Sequence, residues 1–204
     1  MHDLLLRLPD IPALRDRCRA LAMLDAVLSP DWGDRYYSFD AHWGEGEEMA
    51  SMRNGQGDDW FMVFSAAGVY ARGLDHEAPN APHLLAEVPE SFRSYVDEPA
   101  FADSEGRPDL TVCFWRESGD TRWHAPQTAP TGGVELFGLL ADGTATAYRA
   151  WAEDYYEPEH EPDLAAVEHV LALRPLTEAV VSALNPETDL GDIADDIAGI
   201  GYPA

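Results

Sequence analysis

The stretch that most constrains the fold is Glu47 to Ser65, EEMASMRNGQGDDWFMVFS. Two apolar-rich runs flank Asn54-Gly55-Gln56-Gly57-Asp58, and Asn-Gly and Gly-Asp pairs are residues that tolerate the positive φ of tight turns. Met49, Ser51 and Arg53 alternate with Glu48, Ala50 and Met52, the period of a half-buried strand. The return run, Trp60 to Phe64, is apolar without alternation, which predicts a central strand covered on both faces. This hairpin lies in the densest aromatic region: eight of the chain's 21 aromatic residues fall between Trp32 and Phe64. That density marks Trp32 to His76 as the place to look for a site.

Further elements extend the pattern. Arg35 to Trp43 reads as the preceding strand, and Val69 to Leu74, after Ala67-Gly68, as the following one, giving a meander of three or four strands. Leu110 to Arg116 reads as another buried strand, with Ser118-Gly119-Asp120 turning into a return strand over Thr121 to His124. In residues 11–28, Leu14, Cys18, Leu21, Leu24 and Leu28 recur at helical spacing, with Asp10 as cap and Pro12 in the first turn. Residues 82–98 predict one or two short helices. Residues 134–140 and 144–156 predict two more, broken at Asp142-Gly143, and 157–162 a charged loop. Residues 164–173 fit helix or strand, and 176–184 a short helix behind Thr177. The sum is an α+β fold: a twisted antiparallel sheet of about five or six strands packed by N- and C-terminal helices. Residues 1–187 form one domain in this reading, and 188–204 a loosely docked tail.

Composition narrows function. The 204 residues carry 38 Asp and Glu against 13 basic residues, all Arg, for a formal charge of -25. Missing Lys fits a high-GC coding bias, and it removes any Lys Schiff base or Lys phosphate anchor. Such a field repels nucleic acid and anionic membranes, whose recognition needs Lys and Arg. It attracts a basic protein and speeds the encounter. Cys18 and Cys113 sit in apolar runs and read as small buried hydrophobes, not a disulfide. The N-terminal residues do not read as a signal peptide, and no apolar run approaches the ~18 residues of a membrane span. A cytoplasmic location is expected, and nothing in the sequence fixes the oligomeric state.

Chemistry-bearing patterns are sparse. Asp75-His76-Glu77 follows a strand, and Asp75 and Glu77 can share a face. A hydrogen-bonded loop is the plainer reading, with acid–base or metal chemistry the sharper one. The Arg53–Asp59 turn lacks the GK[ST] of a phosphate loop. His42 with Glu45, Glu47 and Glu48 matches no cation-binding spacing and reads as a solvated edge. No G-x-S-x-G elbow is present, and the aromatic rows read first as core. No catalytic residue, cofactor or metal site is assigned.

Read together, RYYSFDAHWGEGEEMASMRNGQGDDWFMVF, GLDHE, VPESFRSYVDEPAF, TVCFWR, YRAWAEDYYE and LRPLTEAVVSALNPE resemble a set of uncharacterised bacterial proteins, over roughly residues 20–187. The EMASMRNGxGDxWF motif is the specific part. This resemblance implies an intracellular bacterial protein and transfers no catalytic residue. In general character, an acidic α+β domain with a Trp- and Gly-rich sheet, the chain is also similar to the SMI1/KNR4-like immunity proteins of bacterial toxin systems.

The leading expectation is therefore a non-enzymatic, acidic interaction protein that binds a basic protein partner, immunity-like or regulatory, through carboxylates framing aromatics. The alternative is a small-molecule binder or hydrolase with a pocket near Arg53, Asp58, Trp60, His76 and Glu77. The candidate binding residues are these five and Trp43.

Overall fold

The computed structural model describes residues 1–158 and 160–204. Glu159, inside the expected charged loop 157–162, lies outside them. Five strands, β1 (Tyr37–Gly44), β2 (Glu47–Arg53), β3 (Asp59–Ser65), β4 (Gly68–Leu74) and β5 (Val112–Glu117), form one antiparallel sheet in sequential order. Thr121 to His124 does not add a sixth strand: Trp115 and His124 make an isolated bridge, and the segment then leaves the sheet.

β3 is the middle strand, and the two parities of its side chains enter two different cores. Trp60, Met62 and Phe64 face the larger one, and Val63 the smaller one with Phe61 against it. This is why its apolar run does not alternate. The larger core packs α2 (Ile11–Leu28), α4 (Gly138–Asp142), α5 (Ala145–Tyr156), α6 (Leu164–Leu171) and α7 (Glu178–Leu184) with α8 (Ala194–Ile200) over that face. The smaller core is built from residues 81–110, mostly 3₁₀ turns and α3 (Arg93–Val96), around Phe92, Tyr95 and Phe101. The segment 164–173, which fits helix or strand in the sequence, is helical over Leu164–Leu171, capped by Asp163.

Local signals set the boundaries. The Asp10 side chain accepts from the Ala13 N–H and Pro12 occupies the first turn of α2, satisfying an orphan donor at the helix start. Gly68 enters β4 at φ +132°, and a Cβ there would lie 2.2 Å from the Arg116 carbonyl oxygen. Only glycine lets β4 and β5 meet at that point.

Two features depart from expectation. Residues 2–7 form a short helix, α1 (His2–Arg7), anchored by buried Leu4. The C-terminal residues are not loosely docked: Ile193, Ile200 and Tyr202 are buried in the larger core. The Tyr202 hydroxyl donates to the carbonyls of Arg174 and Val170. Buried Arg35 pairs with Asp196, its Nη2 lying 3.0 Å from Oδ2, while also donating to the carbonyls of Ser29 and Pro30. A guanidinium fully engaged by backbone and carboxylate holds the tail against β1.

Candidate functional site

The turn between β2 and β3 is organised by one side chain. Asn54 Oδ1 accepts from the N–H groups of Gln56 (2.8 Å) and Asp58 (3.1 Å), and its Nδ2 donates to Asp58 Oδ2 at 2.7 Å. The Asp58 carboxylate is thereby aimed at the end of β4. There Asp58 Oδ1 accepts from the His76 backbone N–H at 2.9 Å and meets His76 Nδ1 at 2.7 Å. Gly57, at φ +115°, makes this approach possible, because a Cβ would sit 3.1 Å from the imidazole Cγ.

Burial pushes the Asp58 carboxyl up, but hydrogen bonds from the His76 side chain and backbone and from Asn54 outweigh it, so its pKa falls below the ordinary value. The hydrogen bond to Asp58 raises that of His76. Asp75 completes the group: Asp58, Asp75 and His76 each offer one ligand atom, all within 4.8 Å of one another. Two carboxylates and an imidazole suit a divalent cation of borderline softness. The Asp75 Oδ1 also accepts from the Glu77 N–H, so Glu77 takes part through its backbone and its side chain is exposed.

Beside this cluster lies an aromatic surface. Trp32, 58 % exposed, carries the Arg53 guanidinium 4.4 Å above its ring. Tyr155, 37 % exposed, donates from its hydroxyl to the Asn54 carbonyl at 3.2 Å and packs on Tyr36 and Trp151. Trp32 projects from a 3₁₀ turn whose Asp31 and Asp34 are exposed. Burial pushes the Tyr36 phenol up to about 12, with Tyr155, Asp58 and Asp25 adding to the shift. The two exposed rings thus share one end of the sheet with Asp31, Asp34 and Asp58.

Beneath the aromatics is a carboxylate that sequence reasoning missed. Asp25 on α2 is fully buried, accepting from the Tyr37 N–H (2.7 Å), the Tyr148 hydroxyl (2.7 Å) and the Tyr156 hydroxyl (2.9 Å). Desolvation raises its pKa to about 6 against the pull of these donors. A signal existed: Asp25 stands four residues after Leu21, on the apolar face of the helix.

The expected site residues separate. Arg53, Asp58, His76 and the Glu77 backbone gather at the turn. Trp60 does not: it is buried in the larger core, with Nε1 donating to the Leu136 carbonyl. Trp43 lies at the opposite end of the sheet, stacked on Phe101. The β1–β2 register shifts between Asp40 and Gly44, and this bulge turns Trp43 from the face of Tyr37 and Phe39 to the other face. Arg53 stands across from Asp59 in the strand register, yet its charge rests on Trp32. His42 and Glu47 lie at the far end with Trp43, away from His76. The larger cavities also lie elsewhere, one of about 720 Å³ between α1 and residues 122–130 and one of about 320 Å³ at the Gly44–Glu48 end. Among the described residues no helix is long and apolar enough to cross a membrane. No family model matches the chain, and no curated protein or solved structure matches it.

Proposed function

We propose that the protein is a binding module for a basic protein partner, and that it docks this partner on the surface formed by Trp32, Tyr155, Arg53 and the carboxylates around them. The carrying observation is that the exposed aromatics Trp32 and Tyr155 sit together at one sheet end inside a rim of Asp31, Asp34 and Asp58. Aromatic anchors supply affinity at interfaces, and a complementary field supplies encounter rate. A net charge of -25 selects against anionic partners. An immunity-like role, neutralising a basic toxin, is one form of this reading.

The test is affinity capture from a host lysate at low salt, with the wild type and a Trp32→Ala/Tyr155→Ala variant in parallel. Both substitutions are neutral, so net charge is unchanged. The expected result is a basic protein held by the wild type, released at high salt, and bound at least tenfold more weakly by the variant. A salt-sensitive partner held equally by both would place the interface elsewhere.

A further inference from the structure

The cavity between α1 and residues 122–130 inverts the character of the rest of the molecule. It is an open trough of about 720 Å³, within the ~300–1,000 Å³ typical of small-molecule sites. Its apolar walls include Leu5, Leu6 and Trp123. Leu6 is 71 % exposed, the most exposed large hydrophobic side chain among the described residues. Trp123 forms a fixed wall: its ring is buried against Phe114 and its Nε1 donates to the Pro9 carbonyl at 2.8 Å.

The polar lining has one sign. The chain carries 38 Asp and Glu, yet among the described residues none of them lines this cavity, whereas Arg122, His2 and His124 do. Among the described residues, ten of the other guanidiniums hold a carboxylate or a backbone carbonyl. Arg122 forms no ion pair among the described residues. His124 has its Nε2 3.3 Å from Asp120, and Arg122 is the side chain of the lining that stays charged at any working pH. An apolar trough whose lining includes a guanidinium without an ion pair matches one kind of small molecule. The apolar walls take a hydrocarbon body, and the planar fork takes a carboxylate through two parallel hydrogen bonds.

We infer that this cavity is a binding site for a small amphipathic monocarboxylate, an apolar chain ending in a single carboxylate that Arg122 holds. The site is separate from the partner surface at the β2–β3 turn and stands on different residues. No reaction is attached to it.

The experiment is calorimetric titration of the full chain with straight-chain carboxylates from octanoate to dodecanoate, below their micelle-forming concentrations, and with the matching alcohols. Burial of each added methylene contributes up to ~0.8 kcal/mol, so affinity should rise by up to about fourfold per carbon until the trough is filled. The carboxylate should bind about tenfold or more tightly than the alcohol of equal length. Arg122→Gln should erase that preference and keep the chain-length dependence, while Leu6→Glu should abolish both. Unchanged melting and circular dichroism would show that both variants fold. Equal binding of acid and alcohol, no effect of Arg122→Gln, or no binding of any chain would overturn the inference. So would a carboxylate-insensitive dimer, seen by sedimentation, that Leu6→Glu dissociates, because a second copy would then be the occupant.

Discussion

Asp25 and Asp58 are the same side chain, each with three hydrogen-bond donors around it, yet their acidities move in opposite directions. Asp25 takes its donors in a fully buried setting and is raised to about 6, because loss of water outweighs them. Asp58 takes donors from His76 and Asn54 at a half-open turn, where desolvation is smaller, and is lowered. Burial, and not the number of donors, decides the sign. The difference also separates roles. Asp25 ties α2 to β1 and α5 and is unreachable by a ligand, whereas Asp58 presents a charged group at the surface beside exposed aromatics.

The sharpest break of this comparison removes the buried acid. Asp25→Ala leaves the Tyr148 and Tyr156 hydroxyls and the Tyr37 N–H without their acceptor, and should cost about 3 kcal/mol or more in urea unfolding. A cost under about 1 kcal/mol would show that the network is dispensable.

Next in size is a pH effect. The folded pKa of Asp25 lies above its ordinary value of 3.8. Its stabilising contribution is therefore complete below pH 3.8 and lost as pH rises through about 6, on the order of 2–3 kcal/mol. Asp59 is also raised to about 6, first by burial, so the difference between wild type and Asp25→Asn isolates Asp25. That difference should grow between pH 4 and 7 in favour of the variant, and a flat difference would contradict the assignment.

At the surface, His76→Ala should leave the melting temperature almost unmoved. In the wild type, His76 should titrate above 6.5 by NMR, and Asp58→Asn should return it toward 6.5. His76 contributes stability that is present below 6.5 and fades as pH rises through its raised folded value. The smallest expected effect is that of Gly57→Ala on this titration. Its methyl group, on a backbone strained at φ +115° and 3.1 Å from the imidazole Cγ, shifts turn and imidazole apart and lowers the His76 pKa part of the way.

The parts of the fold that were legible in sequence are the local ones. The bounds of β2 follow from period-2 alternation, those of β3 from its unbroken apolar run, the turn between them from the Asn54–Asp58 chemistry, and α2 from Asp10, Pro12 and its leucines. The side chosen by Trp43 was not legible, because it depends on a register shift between Asp40 and Gly44. Nor did the aromatic count separate Trp60 from Trp32. Neighbours could have done so, since Trp60 opens an apolar run whereas Trp32 stands between Asp31 and Gly33-Asp34. Ile193, Ile197 and Ile200 carry the four- and three-residue spacing of a packed helix, so the docking of the C-terminal segment was readable. Of the candidate site, Arg53, Asp58 and His76 were found by turn and strand-end position. Tyr155 stands 101 positions from Asn54, whose carbonyl it meets, a contact that only the tertiary fold reveals.

The most direct test of the partner-binding surface is a hydrogen-exchange footprint of the protein bound to its captured basic partner. Protection is expected to concentrate at residues 31–36, 53–58, 75–77 and 151–156. Protection confined to α1, to the Gly44–Glu48 end or to the 93–108 segment, with the β2–β3 turn unchanged, would contradict it.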